Sequence, residues 1–172
     1  TTAEDGIRLC RGANVLPTRI DWSDLARWPK EQSNLMEMFA LSPNDIVLAM
    51  DRPWISEGFK IAQIREEDCP SLLVQRVARI RGINGVSNDF LFYMLRHVAF
   101  EKHCRPTETT VPHISPREIR SFRFPLPPFN VQQKFALLVN KEEQKRVRTN
   151  PINHFSSLLS ESLIHSAFTG NL

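Results

Sequence analysis

The segment Phe122-Arg123-Phe124-Pro125-Leu126-Pro127-Pro128-Phe129 limits the folding of this chain more than any other. Each of its three prolines fixes φ, removes an amide donor and biases the preceding residue toward extended backbone. Neither a helix nor a central strand passes through such a stretch, so it must be an extended strap or linker. The chain therefore divides near residue 130, with a proline-punctuated region of mixed pattern before the strap and a helical tail after it.

Before the strap, Ile7–Leu9, Asp45–Met50, Phe59–Ile64 and Leu72–Ile80 are short, rich in Ile, Val and Leu, and bounded by turn residues, which predicts strands. The later residues of the last run alternate apolar and polar, as a half-buried strand requires. Ser87-Asn88-Asp89 is a capping cluster, and Phe90, Leu91, Met94, Leu95, Val98 and Ala99 then recur at helical spacing, which predicts one helix of about four turns. Ser115-Pro116-Arg117-Glu118 has the order of a capping box, with proline in the first turn of a second, shorter helix.

Beyond the strap, Asn130-Val131-Gln132-Gln133 starts another helix, with Phe135, Leu138 and Val139 as an apolar stripe. A charged run, Lys141–Arg148, leads to Asn150-Pro151, where a kink or a break is expected because proline inside a helix costs about 3 kcal/mol. Ile152, Phe155, Leu159, Leu163 and Ala167 then form a sticky edge suited to pairing with another helix. Gly170 suits the end of that helix.

Composition excludes more than it assigns. At 172 residues, 41% hydrophobic and 24% charged, the chain is long enough for one domain with a proper core, or for a domain plus an appendage. The net charge of +3 does not by itself argue for nucleic acid. Locally, Arg76, Arg79, Arg81, Arg96, Lys102 and Arg105 face only Asp89 and Glu101 between Cys69 and Arg105, which suits either a solvated face or an anionic partner. Cys10, Cys69 and Cys104 are odd in number and widely spaced, which fits neither a disulfide framework nor a structural zinc site. No apolar run approaches the twenty or so residues of a membrane span, and the start is not signal-like, so the cytoplasm is the expected compartment. The first residues, Thr1-Thr2, suggest a piece of a longer chain or a processed form.

Catalytic signatures are missing. The six glycines stand singly, and neither His-Glu-x-x-His nor Gly-x-Ser-x-Gly occurs. His97 and His103 are six apart, on nearly opposite sides of a helix, which fits packing or surface roles better than metal ligation. Asn150-Pro151-Ile152-Asn153 lacks the aromatic fourth residue with which amino-methyltransferases stack a flipped base. The expectation is a non-enzyme with no catalytic residue, no metal site and no cofactor of its own.

Six segments stand out in order: Arg11-Gly12-Ala13-Asn14-Val15, the strand Leu41–Asp51 with its turn of the Pro-Gly-Asp kind, Gln75-Arg76-Val77-Ala78-Arg79-Ile80-Arg81, Thr109–Ser115, Leu126-Pro127-Pro128-Phe129 with Gln132-Gln133, and Ser166–Leu172. In that order they resemble segments of the specificity subunits of type I restriction-modification systems. Each is weak alone; together they span nearly the whole chain. Asn44 and Glu108 stand where the family has glycine, Asn171 where it has glutamate, and Pro151 is atypical of its helix.

The resemblance implies an α+β fold. A target-recognition domain of mixed or antiparallel short strands with helices would occupy residues 1–129, followed by a long spacer helix over 130–172 that pairs as a coiled coil. It implies double-stranded DNA as partner, with each recognition domain reading half of a bipartite site. It also implies methylation subunits, restriction subunits, and a second spacer helix from the same subunit or a dimer mate. S-adenosylmethionine, ATP and Mg would belong to those partner subunits.

Recognition of this kind needs cations and hydroxyls on phosphates and forked or planar side chains on base edges. The favoured loop is Asp51–Gly58, with Arg52 and Trp54 on a proline-stiffened turn. Two readings stand open there: DNA contact, or Trp54 packed at the core edge and Arg52 paired with an acid. A second loop offers Arg105, Thr107, Thr109 and Thr110 to phosphates. Thr109–Ser115 belongs to a motif shared across specificities, so architecture and backbone contact are its expected roles. Gln75 and Arg76 match a similarly general motif, which favours a fold-maintaining hydrogen bond over base readout. Arg11, Asn14, Lys30 and Lys60 complete the DNA-contact set. Helix pairing would fall to Phe135, Leu138, Ile152, Phe155, Leu159 and Leu163. The rival class is a protein-interaction scaffold that uses the helical tail and never touches DNA.

Overall fold

A computed structural model describes residues 5–30, 37–104 and 112–149. It is α+β, with eleven short strands, β1–β11, and four helices, α1–α4, among the described residues. The described residues fall into two compact units, one within Thr1–Arg81 and Cys104–Ser121, the other within Gly82–His103 and Phe122–Leu172. This partition cuts across the boundary expected at 129/130, because the helix that follows the strap shares its core with the helix after Ser87.

The first unit is built on two sheets. In one, β1 (Gly6–Cys10) lies between β4 (Arg27–Pro29), antiparallel, and β10 (Ser71–Leu73), parallel, and β5 (Ala40–Leu41) closes the far edge. In the other, β6 (Ile46–Ala49) lies between β9 (Ile61–Gln63) and β11 (Val77–Ile80), both antiparallel. All four residues of β6 are buried, so this central strand reads as a continuous apolar run. Two small hairpins, β2 (Val15–Leu16) with β3 (Arg19–Ile20) and β7 (Trp54–Ile55) with β8 (Gly58–Phe59), complete the unit. Val15, Val47, Ala49, Ala62, Ile64 and Val77 lie in its core.

The expected strand Leu72–Ile80 is two strands in different sheets. Arg76 has φ 73°, a left-handed conformation no strand interior tolerates, and Val77 N–H donates to Val74 C=O across the turn. The run Phe59–Ile64 is likewise divided between β8 and β9. Asn44, where the family pattern has glycine, stands at φ 69°. Asparagine tolerates that region better than most side chains, so the turn survives the replacement. The adjoining Asp45 is buried and accepts from Ser42 N–H and from the Arg81 guanidinium.

In the second unit, α1 (Asn88–Arg96) begins under a Ser87 cap on Phe90 N–H, as the capping cluster predicts. The expected four-turn helix is interrupted at His97, whose backbone is extended. Its ring accepts from Ala99 N–H, so His97 caps a separate α2 (Val98–Cys104). The strap 122–128 carries no regular structure and leads into α4 (Phe129–Thr149). Phe90, Tyr93 and Met94 of α1 pack against Phe135, Ala136 and Val139 of α4, with Phe124 of the strap beside them. The Phe135 ring meets those of Phe90 and Tyr93 edge-on, with centroids 5.5 and 5.8 Å apart.

The helix α3 (Pro116–Ser121) has the expected reciprocal cap: Glu118 N–H donates to Ser115 Oγ and Ser115 N–H to the Glu118 carboxylate. The kink or break at Asn150-Pro151 lies outside the described residues.

Candidate nucleic-acid interface

The loop after β6 is a built corner. Arg52 stands at φ 44°, and its N–H donates to Pro112 C=O at 3.0 Å. On one side of it Ile114 N–H reaches Met50 C=O at 2.8 Å, and Asp51 forms a β-bridge with His113. On the other, Lys60 N–H donates to Pro53 C=O at 2.7 Å and closes the base of the β7–β8 hairpin. The hairpin turns through Ser56-Glu57 into Gly58, whose φ of 128° suits glycine. The Arg52 side chain is exposed, with no acidic partner among the described residues. Of the two readings open for this loop, the paired one therefore fails for Arg52. The packed one holds in part for Trp54: its indole stacks on Phe59 with centroids 5.6 Å apart, and its buried Nε1 has no hydrogen-bond partner.

Asp51 joins three segments that are remote in sequence. Its Oδ1 lies 2.7 Å from His113 Nδ1 and 3.2 Å from an Arg76 Nη1, and Met50 N–H donates to Arg76 C=O. The strand end, the Gln75-Arg76 turn and the Pro112-His113 segment thus meet at one carboxylate. The sequence reading assigned architecture to the second and third of these, and the contacts are of that kind. It gives no individual role to Asp51 or His113. Asp51 is signalled by opening the favoured loop and ending a recurring motif, His113 only by membership in one.

Four expected DNA-contact residues, Asn14, Lys60, Arg11 and Lys30, have partners within the first unit. Asn14 is 1% exposed and holds the turn around it together. Its Oδ1 accepts from Arg11 N–H and Nε, and its Nδ2 donates to the Asp21 and Asp24 carbonyls. Every polar atom of that amide is satisfied internally, so a base contact would unmake the turn, and the expectation for Asn14 is corrected. Lys60 is buried, its ammonium donates to Gly12 C=O, and burial lowers its pKa. It braces the Gly12 loop against β8–β9 and is likewise corrected. Arg11 is tied to Asp24 through both the carboxylate, at 2.9 Å, and the carbonyl. Lys30 pairs with Asp5 at 2.9 Å. Arg105, Thr107, Thr109 and Thr110 lie outside the described residues.

The helix-pairing set divides as well. Phe135 is buried against α1 and is a core residue, which corrects its expected role. Leu138 is 51% exposed beside the exposed Leu137. The buried stripe runs Gln132, Phe135, Ala136, Val139, so the apolar face is rotated away from Leu138. Ile152, Phe155, Leu159 and Leu163 lie outside the described residues. Among the described residues, no three His, Cys, Asp or Glu side chains cluster as metal ligands, and no helix is long and apolar enough to cross a membrane.

Comparison with known proteins gives a consistent result. The chain is 34% identical over 164 residues to the type I restriction enzyme EcoAI specificity subunit of Escherichia coli, covering 94% of this chain and 27% of that protein. It is 31% identical over 136 residues to the type I restriction enzyme MjaVIII specificity subunit of Methanocaldococcus jannaschii, covering 77% of this chain and 32% of that protein. It thus spans about a third or less of either relative. Among solved structures, the HsdS subunit from Thermoanaerobacter tengcongensis superposes with a TM-score of 0.62 at 15% identity, over 83% of this chain and 36% of that one. A chain from a structure of type I R-M system assembly and conformational transition superposes at 0.61 with 16% identity, over 100% of this chain and 40% of that one. At those identities the superpositions speak for the fold. No protein-family model matches the chain.

Proposed function

The chain belongs to the specificity subunits of type I restriction enzymes, and from that premise we propose that it recognises DNA sequence and catalyses no reaction itself. It reads one half of a bipartite site and scaffolds the methylation subunits. Restriction subunits join that assembly, and S-adenosylmethionine, ATP and Mg are supplied and used by the partners. The working compartment is the cytoplasm, where the DNA is.

The observation that carries the reading is the similarity to two specificity subunits over most of this chain. The geometry supports it. Arg52 projects from a corner fixed by three backbone hydrogen bonds around it, which suits a guanidinium meant to meet a base edge or a phosphate with little backbone entropy left to lose. Residues 1–129 carry the recognition and 130–172 the spacer. The spacer's pairing surface includes Leu138 with Ile152, Phe155, Leu159 and Leu163.

The test is selection from randomised duplexes by the chain assembled with methylation subunits, followed by mapping of methylated adenines. A single enriched half-site with methylation at a fixed position is expected. Retention of the helix-mediated assembly with no duplex enriched would favour the protein-scaffold alternative.

A further inference from the structure

Of the five non-glycine residues with positive φ among the described residues, two are arginines, Arg52 and Arg76, and both adjoin Asp51. A left-handed backbone is unfavourable for a long side chain and persists only where its surroundings impose it. Here the surroundings are backbone bonds from Met50 to Arg76 and from Arg52 to Pro112. The Asp51 carboxylate, bonded to Arg76 and His113, has no role in the core, being about half exposed.

Asp51 engages only one Nη1 of Arg76, while the guanidinium is 58% exposed and makes no other ion pair or side-chain hydrogen bond among the described residues. Its Nε–Nη2 edge, two parallel donors, is the geometry that grips a phosphate bidentately. His113, bonded to the same Asp51 oxygen, gives the carboxylate a second anchor.

We infer that Arg76 is a phosphate-binding residue held in place by Asp51, with His113 as the brace that orients Asp51. The ligand is a backbone phosphate of duplex DNA, and the inference rests on the reading of the chain as a DNA-recognition domain. Asp51 is a positioning residue. It is an acid on a surface that meets a polyanion, and its orienting action outweighs its repulsion.

That balance gives the test a sign. Binding is measured, for the chain assembled with methylation subunits, to a duplex carrying the selected half-site and to a scrambled duplex across a salt series. Arg76→Gln is expected to weaken both duplexes equally and to lower the slope of log affinity against log salt by about 1. Asp51→Ala removes a negative charge, yet is expected to weaken binding about 3–10-fold, the scale of losing one ordinary hydrogen bond. Asp51→Asn keeps an acceptor and is expected to recover most of that loss. An unchanged slope in Arg76→Gln, or a loss confined to the selected half-site, overturns the phosphate assignment. Tighter binding by Asp51→Ala overturns the positioning role, and if that variant does not fold, tighter binding by Asp51→Asn does the same. Wild-type protein that binds both duplexes equally would sink the sequence-recognition reading while leaving the Arg76 slope to be judged on either duplex.

Discussion

The backbone N–H of Ser87 donates to the side-chain oxygen of Gln132 at 2.9 Å, tying the residue that caps α1 to the first turns of α4 across 45 positions of sequence. The amide nitrogen of the same glutamine donates to the carbonyls of Gly85 and Pro127. One buried side chain thereby fixes the start of one helix, the loop before it and the end of the proline strap.

Replacing Gln132 with alanine leaves three backbone groups without these partners. The variant is expected to lose about 2–4 kcal/mol, by roughly one unit per unsatisfied group. Gln133→Ala, on the exposed side of the same turn, is expected to stay within about 0.5 kcal/mol of wild type. Urea unfolding of the two variants makes the comparison. Equal midpoints would remove Gln132 from this role.

Phe135 and Leu138 are one turn apart and serve different surfaces. Phe135→Ala opens a cavity beneath α1 and is expected to cost about 3–5 kcal/mol. Leu138→Lys is expected to leave the unfolding midpoint near that of wild type while weakening helix pairing. Sedimentation at several concentrations, run beside thermal melts, reads both effects. Undiminished association in Leu138→Lys would take this position out of the pairing surface.

Arg52→Ala is expected to reduce binding to the cognate half-site by about 1–3 kcal/mol if the guanidinium reads a base. The loss should be smaller on a scrambled duplex. The contrast with Arg76→Gln is deliberate: one substitution changes preference between sequences, the other changes affinity for all of them. An unaltered preference in Arg52→Ala would assign base reading elsewhere.

Cys10 and Cys104 are fully buried, and burial pushes both thiols up to about 12. Thiolate is the reactive form, so both are expected to resist iodoacetamide at pH 8 in native protein and to react once it is unfolded. Cys69, partly exposed, also has a raised pKa, from burial first and then from Glu66. It should label before the other two. Mass spectrometry of peptides from a time course gives the order.

Much of the fold was legible from local signals. The Ser87 cap, the Ser115–Glu118 capping box and the helix beginning beside Asn130 each depend on a few neighbouring residues, and each is where the sequence indicates. The strands Gly6–Cys10 and Ile46–Ala49 followed from their apolar content. The breaks at Arg76 and His97 were not legible, because neither residue type signals a turn. Arg76 is driven left-handed by the bond from Met50 and the change of sheet, and His97 becomes a cap only because its ring meets Ala99 N–H.

The candidate site was half legible. Sequence located the Asp51–Gly58 loop and Arg52, since proline, glycine and a lone arginine between strands announce a presented corner. By itself, then, the sequence determined the family, the class of fold and the places where elements begin, all properties carried by neighbouring residues or by motif order. Tertiary structure alone decided that Asn14 and Lys60 turn inward, that Phe135 belongs to the core, and that Asp51, Arg76 and His113 meet. Those outcomes depend on which remote backbone groups need partners and which faces become covered, and neither is set until the chain has packed.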